Sequence, residues 1–184
     1  MIDKIFITGP HSIDKMSLCK KLNSKDDDLS IAERFSNDDI YKDNSNGNYI
    51  YYMSTQDIDL TYKNNFMLFV DTNNYISTGI TLDSFYNNDL FVMEMNEFNN
   101  ISNVIFKSES TDIVVVWIDG SYNKSNEYMR KDSKESEFLE ERLHNENIKY
   151  MYFYNESDED IIDTILNYIN GDEEVRKNIL DDNS

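Results

Sequence analysis

A chain of 184 residues can bury a sizeable core within one compact domain. Its 36 acidic against 17 basic residues give a formal net charge of -19, which repels nucleic acid and anionic membranes, and no Lys/Arg cluster is large enough to reverse that locally. A single cysteine excludes an internal disulfide and a cysteine-rich metal site, and no apolar run approaches the ~18 residues of a membrane span.

The first element is an apolar strand-like run, Ile5-Phe6-Ile7, followed by Gly9-Pro10-His11-Ser12-Ile13-Asp14-Lys15-Met16 and a helix-like run from Met16 to Leu22. Strand, glycine-led loop and helix are the context of the phosphate-binding pattern G-x-x-x-x-G-K-[ST]. Gly9 and Lys15 keep its spacing, with His11 and Ser12 as further donors inside the loop. Two positions depart from it. Asp14 stands at the second glycine, adding a side chain and a negative charge where polyphosphate would approach. Two like charges ~4 Å apart repel by about 4 kcal/mol at an effective dielectric of ~20. Met16 stands at the hydroxyl position, and its thioether is a poor magnesium ligand. Ser17 lies about 100° further round the helix and does not replace it without a register shift. The same residues also read as a plain strand, turn and helix capped by Asp14. Cys19, inside the helix pattern, reads as a small buried side chain.

Residues 34–80 read as an inserted β-rich subdomain. Tyr49–Met53, Phe66–Val70 and Tyr75–Gly79 are expected as antiparallel strands, with Asn73-Asn74 as a turn. Further short apolar runs at Leu90–Met95, Ile113–Ile118 and Tyr150–Tyr154 join Ile5–Ile7 as buried parallel strands. Helix patterns alternate with them. Asn96 is placed to cap one reaching Ile101 and Val104, Tyr122 to Leu143 is a long charged one, and Asp158 to Ile169 carries Ile161, Ile162, Ile165, Leu166 and Ile169 on one stripe. The alternation predicts a three-layer α/β fold with a parallel sheet, as one domain over 1–170. Residues 171–184 form an acidic tail with a short helix pattern from Val175 to Leu180.

This order of parts resembles a nucleoside monophosphate kinase, most closely a guanylate kinase. That family has an N-terminal phosphate loop, a β-rich monophosphate-binding subdomain, then core strands and an arginine-bearing lid. Gly9-Pro10 and Lys15 match its loop. Arg34 stands near its phosphate-binding arginines, ahead of Asn48–Tyr52, which is similar to its G-x-x-Y segment. Thr78-Gly79-Ile80-Thr81 is similar to its Y-G-T turn without the tyrosine, and Phe66–Val70 occupies the place of its base-reading glutamate without an acid. Arg130 and Arg142 fall in the lid region, where the family's clustered arginines are missing.

If nucleotide binding is retained, the resemblance assigns it to Gly9, His11, Ser12, Lys15, Arg34 and Arg130, with Mg and ATP as cofactors of an active kinase. Phosphoryl transfer needs converging cations and a metal carboxylate. Glu94 and Asp119 are candidate carboxylates, and Arg142, within Glu140-Glu141-Arg142, reads as a local ion pair. The departures at Asp14 and Met16 favour a catalytically inactive, cofactor-free binding module, a pseudo-kinase of viral or phage type acting on a basic surface of a host protein of the transcription or replication machinery. Tyr49, Tyr51, Tyr52 and Tyr75 would supply aromatic anchors there. A divergent kinase acting on a (deoxy)nucleoside monophosphate is the first alternative. DNA mimicry, suggested by the acid runs Asp26-Asp27-Asp28 and Glu156–Asp160, is the second. A cytoplasmic chain with no direct nucleic-acid or membrane contact is expected in each case.

Overall fold

The computed structural model describes residues 4–9, 13–42, 49–94, 97, 113–119, 148–154 and 156–171. In chain order these give β1 (Lys4–Thr8), α1 (Lys15–Lys25), β2 (Arg34–Ser36), a 3-10 turn (Asp39–Tyr41), β3 (Ile50–Tyr52), α2 (Thr55–Lys63), β4 (Met67–Asn73), β5 (Ile76–Thr81), α3 (Leu82–Asn87), β6 (Leu90–Val92), β7 (Ile113–Asp119), β8 (Ile148–Tyr154) and α4 (Asp158–Ile169). The fold is α/β, built on two sheets of four strands ordered β6-β1-β7-β8 and β3-β2-β5-β4.

The first sheet is parallel throughout. β1 is one of its two inner strands, with Ile5, Phe6 and Ile7 all inaccessible to solvent. Its side chains alternate between two cores. Ile5 and Ile7 join Val114 and Val116 against α1 and α4, which contribute Leu18, Cys19 and Leu22, and Ile161, Ile162 and Ile165. Burial pushes the Cys19 thiol up to about 12, so it is a protonated core side chain and not a nucleophile. Phe6 faces the other way, stacked on Phe91 at 4.9 Å between centroids. There it joins Leu68, Phe69 and Ile80 of the second sheet and Phe85 of α3. The described third layer is therefore made by the second sheet and α3. The helix patterns expected at Tyr122–Leu143 and Val175–Leu180 lie outside the described residues, as do all of Asn96–Val104 except Glu97 and nearly all of the acidic tail.

Four helices share one start device: the residue before the first turn is Asp14, Ser54, Thr81 or Ser157, and its side-chain oxygen accepts an N–H three residues on. In α2 and α4 the serine also donates to the acid at that position, Ser54 to Asp57 and Ser157 to Asp160, each at 2.6 Å. The acid run of residues 158–160 thus sits in the first turn of α4, where negative charge favours a helix. Lys21–Asp158 and Lys25–Asp163 pairs tie α1 to α4.

The second sheet corrects three expectations. β3 runs parallel to β2, not antiparallel, because the chain of residues 37–49 between them is long enough to cross over. β4 and β5 are antiparallel as expected, but the turn is Asn74-Tyr75, one residue later than the Asn73-Asn74 reading. Both central residues have positive φ (50° and 69°), as a type I′ hairpin requires, and Asn73 pairs with Ile76 across it. Thr78-Gly79 is not a turn at all. Gly79 lies inside β5 opposite Phe35, and a Cβ there would stand 2.6 Å from the Phe35 ring and 2.2 Å from the Phe69 carbonyl. The glycine is a seat for that ring.

Candidate phosphate-loop site

The C-terminal ends of parallel strands are where open α/β sheets bind ligands. At that end of β1, Gly9 has φ 147°, and a Cβ would lie 2.2 Å from the Ile118 carbonyl on β7. The loop therefore leaves β1 by a path that only glycine follows without strain. Residues 10–12, with His11 and Ser12, lie outside the described residues, and so do Arg130 and Arg142. Asp119 ends β7, with only its backbone described.

The chain re-enters at Ile13 and Asp14. The Asp14 carboxylate accepts the Ser17 N–H at 3.0 Å, so it caps α1 and is exposed. Its charge takes up a free helix N–H that a bound phosphate would otherwise use. Met16 is partly buried against the α1–α4 core. The magnesium position of the loop is thus filled by an apolar packing residue.

Lys15 is 3% exposed. Its ammonium donates to the Gly9 carbonyl at 3.3 Å and pairs with Glu94, just past β6, at 3.2 Å. Beside it, Arg34 of β2 makes a two-pronged contact with Glu97, at 2.9 and 2.5 Å, and reaches the Val92 carbonyl at 3.4 Å. Glu97 also accepts the Glu94 N–H at 2.8 Å. The two ion pairs are therefore one connected unit, running Gly9–Lys15–Glu94–Glu97–Arg34. Of the three cations named for phosphate binding, Lys15 and Arg34 belong to this unit, and each already faces a carboxylate. A phosphate reaching either would compete with a carboxylate already at ion-pair distance.

This donor set does not fit magnesium triphosphate. A thioether replaces the hydroxyl, Asp14 is spent on the α1 cap, and Glu94 and Glu97 are engaged with cations. Among the described residues, no group of three or more His, Cys, Asp and Glu could hold a metal ion.

Sequence reading identified Lys15 and Arg34 but gave Glu97 no role and Glu94 only a metal role. Nothing local marks them, since Arg34 and Glu97 are 63 positions apart. The four tyrosines scatter. Tyr49 and Tyr51 line a cavity, Tyr52 lies under the Lys42 ammonium at 5.1 Å, and Tyr75 is 97% exposed at the hairpin tip.

No family model and no curated protein matches the chain. Among solved structures, the guanylate kinase of Anaplasma phagocytophilum superposes with a TM-score of 0.58 over 93% of this chain and 86% of its own, at 15% identity. The chain has a guanylate-kinase-like fold. At this identity the likeness is one of fold, and function must be argued from the site.

Proposed function

We propose that this guanylate-kinase-like fold serves without phosphotransfer, as an acidic binding module for a basic protein surface of a host cell. The observation that carries the reading is the internal neutralisation of Lys15 by Glu94 and of Arg34 by Glu97. Catalysis of phosphoryl transfer is mostly electrostatic, so a site whose cations are already paired has little left to offer a transferring phosphoryl group. The net charge of -19 supports the partner's sign, and it would steer such a partner in at low ionic strength.

Tyr75 supports the binding role independently. A bulky residue at φ 69° is a backbone outlier, and at 97% exposure it gains nothing from packing. Tyr75→Gly should therefore stabilise the fold by about 1 kcal/mol in denaturant unfolding, while weakening partner capture. An unchanged or lower stability would remove the argument that the tyrosine is kept for contact.

A phosphotransfer assay tests the reading. The native chain with Mg-ATP and GMP or dTMP should show no turnover. The Asp14→Gly/Met16→Ser variant should remain inactive, because Lys15 still faces Glu94. Turnover by the native chain, raised by those two substitutions, would establish a divergent kinase instead.

A further inference from the structure

A cavity of about 300 Å³ is lined by Glu33, Tyr49, Tyr51, Thr81, Asp83 and Ser84, together with Ile31 and Asn88, none of them a residue of the phosphate-loop site. That volume equals roughly ten liquid waters, enough for a small ligand group with its residual hydration. β2 and β3 build this wall by register. Phe35 pairs with Tyr51 in parallel strands, so these two share the face opposite Arg34 and Ile50, and Glu33 and Tyr49, each just before its strand, join Tyr51 in the lining. The Asp83 carboxylate is fixed in the first turn of α3 by the Asn87 amide at 3.0 Å. The Glu33 side chain has no ion-pair or hydrogen-bond partner among the described residues.

The chemistry of this lining has one sign. It holds two carboxylates, two phenol rings and hydroxyls, and no Lys or Arg. The Tyr51 hydroxyl registers that field. Its ionisation is pushed up first by burial and then by the Glu33 and Asp83 charges, against a lowering hydrogen bond with Thr81. Two ammonium groups stand next to the lining without belonging to it: Lys20, exposed on α1, lies 5.8 Å from the Tyr49 ring centroid, and Lys4 donates to the Asn88 carbonyl at 2.5 Å. Tyrosine faces and carboxylates together attract an ammonium group and reject anions.

We propose that this cavity is a binding site for a primary alkylammonium group. The site is distinct from the phosphate-loop position and does not depend on whether that loop binds nucleotide. Glu33 and Asp83 supply the charge, the Tyr49 and Tyr51 rings take the alkyl stem and the cation face, and the Thr81 hydroxyl accepts an N–H. A free polyamine and a lysine side chain of a partner protein both present this group.

The test is a heteronuclear NMR titration of the full chain at 0.15 M salt, where attraction to the general acidic surface is screened beyond about 8 Å. The probes are 1,4-diaminobutane, N-acetyl-lysine methylamide and neutral 1-butanol. Both amines should saturate, with shifts confined to Tyr49, Tyr51, Thr81 and Asp83, and 1-butanol should leave those signals in place. Glu33→Gln, at an exposed and unpartnered side chain, should keep the fold and weaken amine binding at least threefold, and the Glu33→Gln/Asp83→Asn pair at least tenfold. Tighter binding of the diamine supports a free polyamine as the source, and tighter binding of the lysine amide supports a protein side chain. Shifts scattered over the acidic surface without saturation, an equal response to 1-butanol, or unchanged affinity in Glu33→Gln would overturn the proposal.

Discussion

Gly9→Ala should cost about 3–5 kcal/mol of folding stability. Two separate terms combine. The backbone at φ 147° is closed to L side chains, and the new Cβ would meet the Ile118 carbonyl at 2.2 Å. That carbonyl belongs to β7, a central strand of the parallel sheet, so it has no freedom to withdraw. For a chain of this size each kcal/mol moves the melting temperature by roughly 2–4 °C, giving a fall of about 10 °C. The measurement is thermal or urea unfolding of the single variant. A loss under about 1 kcal/mol would mean that the loop relaxes easily and that Gly9 serves close approach to a ligand.

Glu97→Ala should be nearly as damaging, at about 3–5 kcal/mol, because it leaves the Arg34 guanidinium as a buried charge without a partner. Arg34 and Glu97 are only 16% and 9% exposed. The truncation also strips the Glu94 N–H of its acceptor. Glu97→Gln keeps a carbonyl for one of these donors and should lose less. An Arg34→Met/Glu97→Met double variant should be more stable than the sum of its single variants implies, by about 2 kcal/mol of coupling. Equilibrium urea unfolding of the cycle reads this directly. Additive effects, or singles within about 1 kcal/mol of the native chain, would show the pair to be a solvated surface contact.

The parts of the fold that were legible in the sequence are those whose burial is complete. The runs at Ile5–Ile7 and Ile113–Ile118 are buried on both sides and show as continuous apolar stretches, whereas Tyr150–Tyr154, with Tyr152 and Tyr154 exposed, shows as an aromatic strand run. The stripe Ile161, Ile162, Ile165 identifies α4 because its other face meets solvent. α2 escaped the apolar pattern because Ile58 is its only buried residue. Its signal lay in the Ser54–Asp57 capping box instead. β2 has three residues, too few for any period, and α3 has six. The direction of β3 is decided by its partner, which no local pattern encodes.

The site was legible in half its charges. Gly9, Lys15 and Arg34 stand out by spacing and resemblance, whereas Glu94 reads only as a candidate metal carboxylate and Glu97 as one ordinary acid in a chain with 36 of them. Asp14 shows how one residue supports two sequence readings. As an intruder in a phosphate loop it is a defect, and as the cap of α1 it is a stabilising start residue. Its hydrogen bond to the Ser17 N–H gives it the second role.

Thermal unfolding of the native chain with and without Mg-ATP, Mg-GTP, GMP and dTMP tests the central claim most directly. A ligand at 100 times its dissociation constant stabilises by about 2.7 kcal/mol, a shift of several degrees. With Lys15 held by Glu94 and Arg34 by Glu97, the expected result is no shift with any of the four. A clear rise with one triphosphate and one monophosphate would contradict the account and mark the fold as a working nucleotide kinase.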